Sequence, residues 1–304
     1  FVRAVSERGL DWAALDDAAA DALTEDLLPA LLAAHNDGIL LASPRLRAGL
    51  FLLVETVRSG ARAIARQIRA GAFLPLGAEC RFGPGEAFPP LPLLTEKGEE
   101  AWLAGVIDRV DAAAGEDRRY IRVIDYKSGQ KKFDFGAVID GLSLQLPLYL
   151  AAAGAESSRA GLYYMTLRGA PPEDGEDLEA AAMETVRLRG VTLSDPRVLR
   201  LSDYAIDAGG GLLEGVKADG ESFRGSLLTG EQMNGLIARA LDKARESIRA
   251  MRAGRIEARP FERGCEHCDY RSVCRFDPSL PGCRARRRRS ASREAFFEEG
   301  GEGA

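Results

Sequence analysis

The sequence lacks several features that would assign a protein to a broad class at a glance. No apolar run is long enough to span a membrane and no charged-then-apolar leader is visible, so we expect a cytoplasmic protein without membrane contact. No Walker motif for nucleotide phosphates is present, which places any ATPase activity outside this chain. The net charge of −5 excludes a uniformly basic surface for nucleic acid, although it permits a local basic groove.

The composition of the chain is ordinary for a folded domain. Its 304 residues are 46% hydrophobic and 29% charged, which is typical of globular proteins and supplies ample material for a core. No internal repeat is visible in the sequence. Because the chain begins at Phe1 and not at a methionine, we interpret it as a segment of a longer protein.

Helical and strand-like patterns together predict an α/β fold. Residues 1–75 are mainly helical, and their longest helix begins with Ser43 as N-cap and Pro44 at the first helical position, followed by an apolar stripe up to Ile68. Residues 76–204 change to short strands with one helical segment, which predicts a mixed sheet flanked by helices. The predicted elements are strands at residues 77–83, 102–111, 120–127 and 161–167, a helical segment at 137–155 and an acidic loop at 169–182.

The remainder of the chain divides into three parts. Residues 205–260 contain a glycine-rich stretch and a long helix, which begins with a capping box formed by Thr229 and Gln232. Residues 261–283 hold four of the five cysteines. Residues 284–304 begin with a run of arginines and continue as a polar tail, and this composition predicts disorder.

The segment RVIDYKSG, residues 122–129, places two opposite charges at the end of an apolar strand. Asp125 and Lys127 are two residues apart, so their side chains point to the same face. A short hairpin would bring Asp108 of the preceding strand alongside them. Two carboxylates suit Mg²⁺, which binds hard oxygen ligands and activates water, and the lysine can stabilise negative charge on a phosphate. An isolated D-x-K pattern is more often a simple ion pair, so the hypothesis depends on other residues that converge on it.

A second polar pair lies in the predicted helical segment. Gln145 and Tyr149 are four residues apart and therefore share one helical face, from which they can hydrogen-bond DNA or brace a metal site. Pro147 between them is compatible with a regular helix only near its first turns or at a kink.

Three cysteines form a C-x₂-C-x₅-C pattern near the end of the chain. Cys265, Cys268 and Cys274 are clustered, which in a reduced compartment indicates metal ligation before disulfides. A zinc site would need a fourth ligand, for which Cys283 and His267 are available.

The motifs GVIDRVD, IDYKSG and LQLPLY, in this order and followed by the cysteines, resemble the RecB-like branch of the PD-(D/E)XK nucleases. Within that branch they are most similar to the C-terminal nuclease domains of AddB-type proteins, from about Phe1 to Asp277. The resemblance implies a restriction-endonuclease-like core with a C-terminal iron–sulfur staple. It also implies Mg²⁺ as cofactor, a single strand of unwound DNA as substrate and an AddA-type helicase–nuclease protein as partner.

The resemblance also assigns roles to individual residues. Asp108 and Asp125 match the Mg²⁺ ligands of the family, and Lys127 matches its catalytic lysine. Gln145 and Tyr149 match its Q-x-x-x-Y motif. Glu79, in the first predicted strand, matches a position that is frequently acidic in the family, and an exposed strand-edge glutamate is an equally good interpretation.

Two ligands that the resemblance implies have no match in this chain. The branch normally has a metal-binding histidine on a helix before these motifs, and neither His35 nor His267 fits that position. The branch also has a [4Fe–4S] cluster, held by the equivalents of Cys265, Cys268 and Cys274 and by one cysteine far upstream. Both missing ligands are expected before Phe1, and zinc is the less favoured metal.

Basic residues supply possible contacts to DNA. The run Arg284 to Arg289 can bind phosphates or serve as a solubilising tail, and the two interpretations are about equally good. Lys131 and Lys132, which follow the D-x-K strand, are better placed to meet a DNA backbone. Arg109 and Asp111 are expected to brace the site and not to perform chemistry.

The sequence therefore predicts a Mg²⁺-dependent DNA exonuclease domain of a helicase–nuclease complex that processes double-strand ends. One alternative is a stand-alone RecB-like nuclease of the CRISPR-adaptation type, which the abrupt internal start of the chain disfavours. The other is a non-catalytic iron–sulfur scaffold that only binds DNA, which the intact pair of aspartates and the lysine disfavour.

Overall fold

A computed structural model describes residues 1–94, 100–154, 158–167 and 185–298 of the chain. The predicted acidic loop at 169–182 and the tail residues 299–304 lie outside these ranges. The helices are α1 (Val2–Glu7), α2 (Asp17–Ala34), α3 (Pro44–Arg69), α4 (Phe135–Ile139), α5 (Gln145–Ala153), α6 (Pro196–Ser202), α7 (Gly230–Arg252), α8 (Arg271–Cys274) and α9 (Arg293–Glu298). The strands are β1 (Leu74–Phe82), β2 (Leu91–Leu94), β3 (Glu100–Leu103), β4 (Gly105–Ala114), β5 (Arg119–Lys127), β6 (Ser158–Thr166), β7 (Leu188–Leu193), β8 (Lys217–Asp219), β9 (Ser222–Arg224) and β10 (Leu227–Leu228).

Six of the described strands form one mixed sheet in the order β1-β4-β5-β6-β7-β10. The first three are antiparallel, and β4 and β5 are joined by the short hairpin that the sequence predicts. Strand β6 runs parallel to β5, β7 is antiparallel to β6, and β10 is parallel to β7. Helices flank the sheet, which confirms the predicted fold class. None of the helices in the described ranges is long and apolar enough to cross a membrane.

One face of the sheet is covered by α1, α2 and the C-terminal half of α3. Ile68 of α3 packs there in the same core cluster as Ile124 of the sheet. The predicted apolar stripe of α3 is buried only in this half, because Leu46 and Leu53 near its start are 41% and 44% exposed. Helix α3 also contacts α2 and the 3₁₀ segment His35–Leu41.

Two predicted helix starts are confirmed by their capping bonds. Ser43 Oγ accepts a hydrogen bond from the N–H of Leu46 at 3.3 Å, and Pro44 occupies the first turn of α3. Thr229 and Gln232 form the reciprocal capping box of α7, with bonds of 3.0 and 3.2 Å. Local side-chain chemistry therefore determines where these two long helices begin.

The opposite face of the sheet is covered by α4, α5 and α7. Leu146 of α5 and Leu236 of α7 share a core cluster with Val123 of β5. The single helical segment predicted at residues 137–155 is wrong, because two helices occur there. Gly141, with φ of 77°, turns the chain between them, and such a left-handed conformation is accessible to glycine at little cost.

The C-terminal segment is ordered at least to residue 298, so the prediction of a disordered tail is wrong for that part. Phe296 of α9 is 1% exposed and lies 5.2 Å from Phe135, measured between ring centroids. Arg239 of α7 donates a hydrogen bond to the carbonyl oxygen of Phe296 at 2.5 Å. The apolar residues of α9 pack against the helices of this face. This packing stabilises the segment despite the polar composition around it.

Candidate active site

Asp108 on β4 and Asp125 on β5 lie opposite each other near the end of the antiparallel hairpin. Arg109 is the cross-strand partner of Ile124, so the next position along the ladder sets Asp108 opposite Asp125. Asp108 Oδ2 also accepts a hydrogen bond from the backbone N–H of Tyr126 at 2.8 Å. The hairpin thus places both carboxylates at one point of the sheet, as their spacing predicts.

Lys127 completes this group from the same strand. Its ammonium group forms an ion pair with Oδ2 of Asp125, whose side chain is only 1% exposed. Among the described residues, this oxygen has no partner in hydrogen-bond geometry. The Lys127 side chain is 27% exposed and can therefore reach a ligand from solvent.

The carboxylate pair has the electrostatics of a cation site. Burial, together with the charges of Asp125 and Glu79, raises the pKa of Asp108 above its usual range, while the Tyr126 N–H partly opposes this. Burying two carboxylates that face each other costs free energy unless a cation balances their negative charge. Mg²⁺ binds hard oxygen donors, and the two aspartates supply them. Oδ2 of Asp125 is free of a hydrogen bond among the described residues. The two carboxylates are therefore donors of the kind that Mg²⁺ takes, although no third His, Cys, Asp or Glu side chain is gathered with them in the described residues.

Glu79 lies on β1 across from Asp108. Its neighbours Ala78 and Cys80 are paired with Arg109 and Ile107, so Glu79 is opposite the residue between them. Its φ of 53° is left-handed, a conformation that costs about 1–2 kcal/mol for an L-residue. Strained backbone of this kind is concentrated at functional sites, and the Glu79 side chain is exposed beside the carboxylates.

Gln145 and Tyr149 contact each other on α5. Gln145 Nε2 donates a hydrogen bond to Tyr149 Oη at 2.9 Å, and the Tyr149 ring packs edge-on against Phe82 with centroids 6.0 Å apart. Burial raises the pKa of Tyr149, and the charges of the two aspartates act in the same direction. Pro147 is the third residue of α5, where its missing N–H removes no helical bond.

A tyrosine that sequence reasoning missed lies beside the lysine. Tyr164 of β6 is the cross-strand neighbour of Asp125, and its ring centroid is 5.6 Å from Lys127 Nζ and 4.6 Å from Lys131 Nζ. Its hydroxyl is 3.2 Å from Ser143 Oγ. Its motif, GLYYMTL, indicates an apolar strand, and only the parallel register of β5 and β6 reveals the contact.

The other face of the same two strands holds a sealed charge cluster. Asp111 forms ion pairs with Arg109 at 2.8 Å and Arg122 at 2.9 Å, and all three side chains are at most 1% exposed. Arg109 also donates a hydrogen bond to Tyr126 Oη at 3.1 Å and another to Gln67 of α3. The bracing role expected for Arg109 and Asp111 thus has a geometric basis, since Tyr126 lies between the two motif residues of β5.

The cysteine segment is exposed and little packed. Cys268 and Cys274 are exposed, Cys265 and Cys283 are half-buried, and none of them forms a disulfide. Helix α8 contains no buried residue. Within the ranges that the structure describes, no three His, Cys, Asp or Glu side chains are gathered to hold a metal ion. As placed, these cysteines do not form the predicted cluster site.

The remaining predicted residues lie on the surface. His35 and His267 are both exposed. Part of the arginine run contacts the domain itself: the Arg286 guanidinium stacks 3.9 Å from the centroid of the Phe261 ring, and Arg289 forms an ion pair of 3.5 Å with Asp140. These two arginines hold the C-terminal segment against the body of the protein.

Comparison with known proteins places this geometry in a family. A family model described as the PD-(D/E)XK nuclease superfamily matches residues 4–275. The chain is also similar to proteins from several bacteria that are named as the B subunit of an ATP-dependent helicase/deoxyribonuclease. That of Moorella thermoacetica is 36% identical over 306 residues, covering 94% of this chain and 27% of the relative. That of Desulforudis audaxviator is 33% identical over 317 residues, covering 95% and 26%.

The chain spans about a quarter of the length of these curated relatives. The family match, in contrast, includes β4, β5 and α5 and therefore every element that carries the aspartates, the lysine and the Gln–Tyr pair. On this match, the chain belongs to the PD-(D/E)XK nuclease superfamily.

Proposed function

We propose that this chain is a Mg²⁺-dependent deoxyribonuclease domain that degrades a DNA strand from an end, as part of a helicase–nuclease that processes double-strand ends. The observation that carries the proposal is the pair Asp108 and Asp125, opposed on neighbouring strands with the Lys127 ammonium beside them. The names of the relatives, which mention a helicase and a deoxyribonuclease, support the class of substrate.

The residues of the site have separate roles in this proposal. Asp108 and Asp125 hold the cation, which when bound polarises the phosphodiester and lowers the pKa of the attacking water. Lys127 neutralises negative charge that develops on the scissile phosphate. Tyr164 keeps the lysine side chain over the sheet through a cation–π contact. Tyr149 and Gln145 brace the opposite wall or contact the DNA backbone.

We further propose that Cys265, Cys268 and Cys274 ligate a metal, with a [4Fe–4S] cluster favoured over zinc. The support is their spacing and not their placement, because the thiols are not gathered in the described residues. A metal that binds such a weakly packed segment would order it on binding. Iron and sulfide analysis after anaerobic purification tests this: Cys268→Ser should lose the iron and the control Cys80→Ser should keep it. Zinc in stoichiometric amount would overturn the choice of cluster.

The partner in this proposal is an AddA-type helicase–nuclease protein that delivers a single strand to the site. The relatives are subunits by name, which supports a partner over a stand-alone CRISPR-type nuclease. A non-catalytic scaffold would have no need of two opposed aspartates and a lysine at one point of the sheet.

The proposal is tested by degradation of end-labelled single- and double-stranded DNA with Mg²⁺, with EDTA and with the variant Lys127→Ala. We expect Mg²⁺-dependent cutting that the variant reduces by about 10²-fold or more. The matched control is Lys243→Ala on α7, which removes a surface ammonium paired with Glu246 and should cut normally.

Each outcome separates the proposals. Cutting that persists in EDTA or in Lys127→Ala would overturn the catalytic assignment. DNA binding without any cutting, with and without a helicase partner, would favour the scaffold. Rapid degradation of duplex ends by the chain alone would favour the stand-alone nuclease.

A further inference from the structure

A cavity of about 480 Å³ opens on the sheet face that carries the aspartates, toward β7 and β10. Its volume lies in the range of sites for small organic molecules and is large enough for one nucleobase with its sugar. None of the residues assigned to the nuclease site lines it. The lining residues used below are Lys132, Phe133, Phe135, Arg189, Glu214 and Arg293.

The register of the sheet places this cavity beside the catalytic group. Asp125, Tyr164 and Arg189 are successive cross-strand neighbours on β5, β6 and β7, so their side chains share one face. Adjacent strands are about 4.8 Å apart, which puts the Arg189 backbone about 10 Å from that of Asp125. Arg189 donates a hydrogen bond at 3.3 Å to Thr166, the cross-strand neighbour of Lys127.

The inner wall of the cavity pairs a buried cation with a carboxylate. The Arg189 side chain is only 2% exposed and forms an ion pair of 3.4 Å with Glu214, which is 29% exposed. Lys132 Nζ lies 4.0 Å from the same carboxylate and is mostly exposed. A carboxylate in the wall disfavours a phosphate inside the cavity. It instead accepts hydrogen bonds of the kind that a base offers from an amino group.

Aromatic rings form another wall. Phe133 and Phe135 are half-buried, and their ring centroids are 5.1 Å apart at an interplanar angle of 86°. On the far side Arg293 donates hydrogen bonds of 3.0 Å to the carbonyl oxygens of Gly225 and Leu227, which fixes the loop that closes the cavity. Single-stranded DNA is typically bound by stacking of its bases on such rings.

We propose that this cavity is a base pocket, which holds one unstacked nucleobase of the strand whose phosphodiester lies at Asp108 and Asp125. Phe133 packs against the base and the carboxylate of Glu214 accepts a hydrogen bond from its edge. Lys131, whose ammonium group lies over Tyr164 between the two sites, contacts the intervening phosphate. The base pocket rests on the proposed function, and it makes single-stranded DNA the substrate because a paired base could not enter.

The test measures affinity for a short single-stranded oligonucleotide in EDTA, by fluorescence anisotropy. A single abasic position is moved along the oligonucleotide, and the protein is compared with Phe133→Ala. We expect one abasic position, and Phe133→Ala on intact DNA, each to weaken binding about tenfold. Combined, they should weaken it no further than either alone, because both remove the same contact.

Two further variants make the result specific. Glu214→Gln preserves shape and should weaken binding about threefold for intact DNA only, because the abasic oligonucleotide lacks the hydrogen-bonded edge. Phe51→Ala, which removes an exposed ring from α3, is the control and should bind like the unaltered protein.

The base pocket would be overturned if the abasic position and Phe133→Ala reduced the affinity additively. It would also be overturned if Phe133→Ala bound intact DNA within twofold of the unaltered protein. An unaltered protein that does not bind the oligonucleotide at all would instead overturn the proposed function. If Lys127→Ala abolishes cutting while the losses of binding affinity are additive, the nuclease site is supported and only the base pocket is overturned.

Discussion

Two charge clusters occupy opposite faces of the same two strands, and they differ in how their charges are satisfied. On one face Asp111 is enclosed between Arg109 and Arg122. On the other, Asp108 and Asp125 face each other with a single partly exposed lysine. The first cluster supplies its own counter-ions and is closed to solvent, whereas the second has surplus negative charge and an opening. The closed cluster therefore maintains the strands, and the open one is available for chemistry.

The largest expected effect comes from opening the closed cluster. Asp111→Asn leaves two buried guanidinium groups without a counter-ion, so the free energy of unfolding should fall by about 3–5 kcal/mol. Urea unfolding followed by circular dichroism measures this. Asp125→Asn, which is equally buried, is the matched variant and should change stability much less, because it removes surplus negative charge. If the two variants were destabilised equally, the distinction between the clusters would fail.

The second prediction concerns Mg²⁺. Millimolar Mg²⁺ should raise the melting temperature of the unaltered chain, because a ligand that binds only the folded state stabilises it. Asp125→Asn should lose most of this shift and reduce Mg²⁺-dependent cutting by about 10²-fold. Asp111→Asn, although less stable, should retain a shift of similar size. A melting temperature that responds to Mg²⁺ equally in all three proteins would contradict the assignment of the open cluster.

The third prediction follows from the raised pKa of Asp108, whose first cause is burial. The folded protein then holds a proton that the unfolded chain releases at about pH 4, the usual range for aspartate. In metal-free buffer the contribution of Asp108 to stability should therefore fall as pH rises from that value through the folded pKa. Asp108→Asn should lack this slope, and urea midpoints across the pH series measure the difference. Mg²⁺ should reverse the slope, because the cation binds the ionised form.

The smallest expected effect is at Glu79. Replacing this residue, whose φ is 53°, with glycine should raise the free energy of unfolding by about 0.5–1 kcal/mol, because glycine adopts that conformation without strain. If Glu79 assists the open cluster, Glu79→Gly should also cut DNA more slowly. Glu79→Gln separates the two effects, since it keeps the strain and removes the charge. A destabilised Glu79→Gly protein would show that the left-handed backbone is not strained.

The sequence pattern was informative wherever a property is local. The caps at Ser43 and Thr229, the β4–β5 hairpin and the facing of Asp125 and Lys127 follow from spacing and side-chain chemistry within a few residues. The helical segment at 137–155 was mispredicted because periodicity does not reveal a single left-handed turn at Gly141. The sequence did not predict α9 because its two phenylalanines stand in a polar tail. Their burial depends on a docking surface that only the tertiary structure shows.

Only the tertiary structure determined which residues meet. The contact of Tyr164 with Lys127 and the cavity beside Arg189 depend on the order β5-β6-β7, and no local pattern encodes strand order. The sequence separated Arg109 and Asp111 from the catalytic group, but it did not reveal that Arg122 joins them in a closed cluster. The sequence by itself determined which residues are charged and to which face of the sheet each of their side chains points. Packing decided which of these charges are enclosed by counter-ions and which remain open to solvent, because burial is a property of the surroundings.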